Sequence, residues 1–243
     1  MASLIDSARL VLTDENALIK ISVWSVIMFF LNAAQFLSIF GDMKTLGVIG
    51  LIVSLPIFVM YWGFLLQTTS LSLAECTTIL PKLNPISLFK TGIKGVLSCT
   101  IFVLPVEFIG DLVREKLPFP YIQDFGSAVQ FILYCFLYIV IYSFASSFFY
   151  TSVILFAKRQ RILDGLNIVK ILTNFHEIIV YLIFTILGLI LLNAIVSLPI
   201  LFAIYGLFGI GKIFIFAACM LGVIQTIMLF QNLAQISYEA VKH

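Results

Sequence analysis

Side chains able to hydrogen-bond recur every four residues in one apolar stretch of the sequence. They are Gln130, Tyr134, Tyr138, Tyr142, Ser146 and Tyr150. Because a helix has about 3.6 residues per turn, each step of four drifts about 40° around the axis, so the hydroxyls form a slow spiral. The stretch 134–146 therefore predicts a polar groove filled by water or lipid headgroups, or a series of hydrogen bonds to neighbouring helices.

Glu107 is a carboxylate in another apolar stretch, two residues after Pro105. An ionisable group inside a membrane helix is costly and is a candidate for function by default. Glu107 shares a helical face with Asp111 and Glu115, at steps of four, and Arg114 lies within helical reach of these carboxylates. The two interpretations are a cation or proton site and a salt-bridge cluster near the membrane surface.

The elements that position these residues must be apolar helices. Of the 243 residues, 62% are hydrophobic and 11% are charged, whereas a soluble domain is about 45–50% apolar and about 25% charged. A water-soluble core of this length cannot bury so much apolar surface. We therefore expect an all-α integral membrane protein with one domain over 1–243. The formal net charge of +2, without a basic patch, argues against nucleic acid as a partner.

Six stretches of the sequence meet the requirement of about 20 mostly apolar residues for a membrane-spanning helix. They are 21–40, 46–66, 96–112, 128–149, 178–200 and 213–233. Longer polar stretches with helical periodicity precede the first, third and fifth of them. This alternation predicts three units, each an amphipathic interfacial helix followed by a transmembrane hairpin.

The predicted interfacial helices cover 4–12, 84–95 and 161–175. In the second, Asn84 is a good N-cap and Pro85 follows at the first helical position. Its polar face is Ser87, Lys90, Thr91 and Lys94, and its apolar face is Ile86, Phe89, Ile93 and Val96.

Lys and Arg are unevenly distributed among the connections. The N-terminus, the second and fourth connections and the C-terminus carry 10 of the 14, and the other three connections carry 4. Because cationic connections stay in the cytoplasm, we predict a protein of the cytoplasmic membrane with both termini on the cytoplasmic side.

Asp6, Asp14 and Glu15 precede the first apolar stretch, and this negative charge is the wrong charge for a cleaved signal peptide.

The sequence lacks the usual patterns of catalytic and metal-binding residues. His176 and His243 have no carboxylates at metal-ligand spacing, and the four cysteines form no C-x-x-C pair. No glycine-rich phosphate motif is present either. We therefore predict no enzymatic activity, no metal and no cofactor.

The stretch 80–94 contains Leu80-Pro81 and then Leu88-Phe89, followed by Gly92-Ile93-Lys94. Together with 156–175 and 230–238, it resembles the prokaryotic multi-pass membrane family catalogued as domain of unknown function 4013. The resemblance implies a multi-pass architecture. It adds no chemistry, because that family has no established activity.

These features favour a non-enzymatic accessory, assembly or lipid-organising component. Its partners would be the lipid bilayer and a membrane protein or a second copy of the chain. The alternative is a small permease for an ion or small solute, with a path along the tyrosine spiral toward Glu107. Transport requires charged or amide groups near the bilayer midplane, and there the sequence places mainly hydroxyls.

Overall fold

A computed structural model describes residues 4–14, 16–40, 44–74, 79–116, 125–206, 220–232 and 234–235. This part of the chain is helical and contains no strand, which confirms the predicted all-α class. The helices are α1 (Leu4–Thr13), α2 (Ala17–Phe40), α3 (Lys44–Leu73), α4 (Pro85–Cys99), α5 (Val103–Lys116), α6 (Phe125–Arg159), α7 (Ile162–Gly165), α8 (Ile168–Gly206) and α9 (Met220–Asn232).

Four of these helical segments are long and apolar enough to cross a membrane. Their apolar windows are Ile52–Leu73, Pro85–Leu112, Leu133–Arg159 and Ile168–Gly188. Ala17–Met28 of α2 and the whole of α9 are shorter apolar helices. The first part of the predicted sixth span, 213–219, lies outside the described residues. The protein is thus a multi-helix, membrane-embedded protein.

Two of the predicted boundaries between interfacial helices and spans fall within continuous helical structure. The stretches 84–95 and 96–112 are not separate, because only a 3₁₀ turn, Thr100–Phe102, lies between α4 and α5. Likewise, α8 begins at Ile168 and continues through the predicted boundary at 175–178. No Gly or Pro occupies that boundary, and a helix without a terminating residue continues.

The N-terminal ends of two helices are closed by asparagine side chains. At α4, the backbone N–H of Ser87 donates to Oδ1 of Asn84 at 3.3 Å, which confirms the predicted cap. At α8, the N–H of Lys170 donates to Oδ1 of Asn167 at 3.1 Å. Each cap satisfies a backbone donor that has no partner within its own helix.

Helix α4 packs against α3 through small residues. An ideal Cβ at Gly63 would lie 1.8 Å from the carbonyl oxygen of Leu88, and one at Gly92 would lie 1.9 Å from that of Val59. Only glycine permits the two backbones to approach so closely. The predicted apolar face of α4 instead points outward, where Ile86 is 81% exposed.

The main apolar core joins α1, α2, α3, α4, α6 and α9. Its fully buried members include Val11, Ile21, Phe64, Phe156 and Ile227. A second cluster, Ile154, Ile178 and Leu182, lies between α6 and α8. The core thus collects residues from both ends of the sequence.

Candidate functional site

The predicted tyrosine spiral lies along α6. The ring centroids of Tyr134 and Tyr138 are 6.5 Å apart, those of Tyr138 and Tyr142 are 6.0 Å apart, and both pairs are stacked. Tyr142 is 40% exposed, whereas Ser146, one turn later, is buried. The drift of the spiral around the helix therefore carries it from the outer surface into the packed part of the molecule.

The exposed part of the spiral has apolar neighbours. Leu133 and Leu137 flank the tyrosines on α6, and both are exposed. In a membrane, such a surface faces acyl chains, and a tyrosine there presents an apolar ring with a polar tip. The structure therefore places Tyr142 on an outward face of α6, while Tyr134 and Tyr138 are half-buried.

Glu107 also lies on an outward face. It is exposed on α5, as are Leu104 and Phe108, whereas Val106 points inward and is buried. Asp111 is exposed on the same side. The side chain of Arg114, the predicted ion-pair partner, lies outside the described residues.

Many buried hydroxyl groups donate to carbonyl groups of their own helix. Thr68 Oγ1 donates to the carbonyl oxygen of Phe64 at 2.9 Å, and Thr151 Oγ1 donates to that of Ser147 at 2.6 Å. Ser25 bonds to Ile21 in the same way at 2.7 Å. Such bonds satisfy a hydroxyl locally, so these groups need no water or solute.

Two serines attach the short helix α7 to its neighbours. Ser152 Oγ of α6 donates to the carbonyl oxygen of Gly165 at 2.7 Å, and Ser98 Oγ of α4 donates to that of Ile162 at 3.0 Å. A Cβ on Gly165 would lie only 2.0 Å from Ser98 Oγ. The chain between α6 and α8 is therefore fixed against α4 and α6.

A buried ion pair connects the N-terminal segment to the chain before α4. Lys20 Nζ donates to Oδ1 of Asp14 at 2.9 Å and to the carbonyl oxygen of Leu80 at 2.8 Å. Oδ2 of Asp14 accepts from the backbone N–H groups of Ile79 and Leu80. The Asp14 side chain is fully buried, and each of its oxygens is bonded. We call this arrangement the Asp14 clasp.

The clasp is not evident from the sequence, because its other half lies far along the chain. Ile79 and Leu80 are 65 and 66 residues from Asp14 and contribute backbone groups only. A backbone N–H has no sequence signature, so no pattern could identify the partner. The one available signal was an acidic residue next to an amphipathic segment.

Helix α9 carries buried amide groups that lack hydrogen bonds within the described part of the chain. Gln231 is 0% exposed, and neither its Nε2 nor its Oε1 has a partner among the described residues. Asn232 Nδ2 donates to Thr185 Oγ1 of α8 at 3.2 Å, while its Oδ1 has no partner among the same residues. Each unpaired buried group costs about 1–3 kcal/mol. Gln225, earlier on the same helix, is also buried, and its Nε2 has no partner among the described residues.

Groups of His, Cys, Asp and Glu that could hold a metal are absent from the part of the chain that the structure describes. Cys99 is a buried free thiol and Cys135 is a half-buried one. Cys76, Cys219 and His243 lie outside the described residues.

The resemblance to the domain of unknown function 4013 stays a prediction. Comparison with family models, curated proteins and solved structures finds no match for this chain.

Proposed function

We propose that the protein is a non-enzymatic accessory component of the cytoplasmic membrane that organises lipid or assembles with another membrane protein. One observation supports this proposal: the polar groups available for a transport path either face outward or form hydrogen bonds within their own helices. Tyr142 and Glu107 lie on outward faces, and Thr68 and Thr151 are bonded to their own helices. A scaffold with an apolar outer surface, in which the hydroxyls of Thr68 and Thr151 are satisfied within their own helices, suits assembly better than conduction.

The proposal includes a finer topology of six spans in three units, with both termini in the cytoplasm. The exposed cations Lys90, Arg161 and Lys170 support it, because they belong to connections that the charge distribution assigns to the cytoplasm. On this topology, α4 and the start of α8 belong to the cytoplasmic half of the molecule.

The experiment has two arms. The full chain is purified in mild detergent, and bound proteins and lipids are identified by mass spectrometry; we expect a stoichiometric partner or one enriched lipid class. In the second arm, Glu107→Gln and Tyr138→Phe are compared with wild type for solute and proton flux in proteoliposomes, with Glu177→Gln as the control. We expect no specific flux in any of them. A flux that Glu107→Gln abolishes and Glu177→Gln preserves would refute the accessory role.

A second candidate function is a small permease, and the unpaired amides of α9 favour it. A buried amide without partners would gain hydrogen bonds from a polar solute, and amides serve substrate sites in transporters. The variant Gln231→Leu separates the candidates. In an accessory protein, it removes unsatisfied groups and leaves function intact, whereas in a permease it abolishes flux. Asn174→Leu is the matched control, because the amide of Asn174 on α8 lies outside this path and donates to its own helix.

A further inference from the structure

Cations converge where the chain turns from α6 into α8. They are Lys158, Arg159, Arg161 and Lys170, and all are exposed. Lys158 is repelled by both Arg159 and Lys170 and attracted by Glu177. Asp164 of α7 is the other carboxylate in this stretch, so the cations outnumber the carboxylates. We call these four cations the basic corner.

Exposed aliphatic side chains alternate with the cations at this corner. Leu163 is 81% exposed, Val169 is 72% exposed, and Ile168 and Leu172 are exposed as well. In water, such a group of side chains would be an unfavourable apolar patch. Aliphatic residues beside Lys and Arg are typical of a segment at the boundary between lipid headgroups and acyl chains.

The corner is held in place before any ligand arrives. Ser152 and Ser98 bind the carbonyl groups of α7 from two sides, and Asn167 caps α8 immediately before Lys170. Gln160 adopts a left-handed conformation, with φ of 51°, where the chain leaves α6. A backbone fixed in this way loses little conformational entropy when it binds a ligand, which favours affinity.

We propose that the basic corner binds the phosphate headgroups of anionic phospholipids. In this arrangement, Arg161 and Lys170 contact phosphate oxygens, while Leu163 and Val169 insert beside the upper acyl chains. Charge complementarity selects anionic over zwitterionic lipid, and the aliphatic side chains select a membrane over a soluble phosphate. This inference rests on the proposed function, because it names the lipid class that the protein would organise.

The test uses the full chain reconstituted in vesicles with equal parts of phosphatidylglycerol and phosphatidylcholine. The protein is extracted with its bound lipid, and the ratio of the two lipids is measured by mass spectrometry. Each cation near an anionic surface strengthens binding by about fivefold. We therefore expect Arg161→Gln with Lys170→Gln to reduce phosphatidylglycerol enrichment by up to about 25-fold. The control pair is Lys82→Gln with Lys90→Gln, which removes the same charge from exposed positions outside the corner, and it should reduce the enrichment clearly less than the corner pair does.

Further arms make each outcome decisive. Arg161→Glu with Lys170→Glu should reduce the enrichment further, and the thermal unfolding of each variant is measured to confirm folding. Soluble glycerol phosphate should not displace the lipid. Unchanged enrichment in folded corner variants would overturn the inference and leave the proposed function intact. Displacement by glycerol phosphate, or loss of a bound acidic protein instead of lipid, would also overturn it. By contrast, absence of both partner and lipid from wild type would contradict the proposed function itself.

Discussion

Asp14 is a carboxylate that the fold removes from water completely, and Lys20 is its counterion. Removing one member of a buried pair leaves the other charge without compensation, which costs far more than the pair itself contributes. The clasp has an additional role, because Asp14 and Lys20 both bind the backbone at Leu80. At the scale of single residues, the connection between the N-terminal segment and the chain before α4 therefore depends on two side chains.

We expect Asp14→Asn to destabilise the folded protein by about 3–5 kcal/mol, because Lys20 loses its counterion in a nearly buried position. The free energy of unfolding in detergent measures this loss. The double variant Asp14→Leu with Lys20→Met is the control, since removing both charges should recover much of the stability. A loss below about 1 kcal/mol in the single variant would contradict a structural role for the clasp.

The packing of α4 on α3 shows what the sequence can predict about an element and what it cannot. The helix, its Asn84 cap and its two faces follow from the sequence. The sequence does not predict which face is buried, because an amphipathic pattern indicates the buried face only where the surroundings are water. In a membrane the outside is apolar, so Ile86 can point outward, while Gly92 and Thr91 form the inner contact. Small residues that permit close approach then decide which face packs.

At the scale of helix pairs, we expect Gly92→Ala to destabilise the protein by about 1–3 kcal/mol, because its Cβ would overlap the backbone of α3. Gly110→Ala on α5 is a matched control. A Cβ there meets no atom within 4 Å, and alanine favours a helix by about 0.5–1 kcal/mol. Unfolding of both variants in the same detergent gives the comparison. Equal effects would show that close packing on α3 does not depend on Gly92.

The whole molecule combines a packed part with outward apolar faces. The first half of α3, α5 and the first half of α6 expose large side chains, including Ile52, Phe58, Phe108 and Phe136. The composition predicted a membrane protein for the same reason, because the chain has more apolar surface than it can bury. The contacts among distant segments were not predictable: α9 enters the same core as α1, and no local pattern encodes that pairing.

The proposed topology makes a prediction for the molecule as a whole. Single cysteines at Lys90 and Arg161 should react only with reagents that enter the cytoplasm, and cysteines at Lys44 and Lys116 should react from outside. The cations determine this orientation, because they resist transfer across the membrane. The measurement is labelling of intact cells by an impermeant maleimide, in a background without the four native cysteines. External labelling at position 161 would contradict the topology.

The Asp14 clasp also has a consequence for biosynthesis. Asp14 and Lys20 leave the ribosome well before Ile79 and Leu80, the backbone partners 65 and 66 residues later. Until then, the nascent N-terminal segment carries a carboxylate that lacks those two N–H donors and therefore stays in water. Closure of the clasp must follow synthesis of α2 and α3, which lie between its two halves in the sequence. The clasp can therefore form only after Ile79 and Leu80 have themselves left the ribosome, so the N-terminal segment is fixed in place later than it is synthesised.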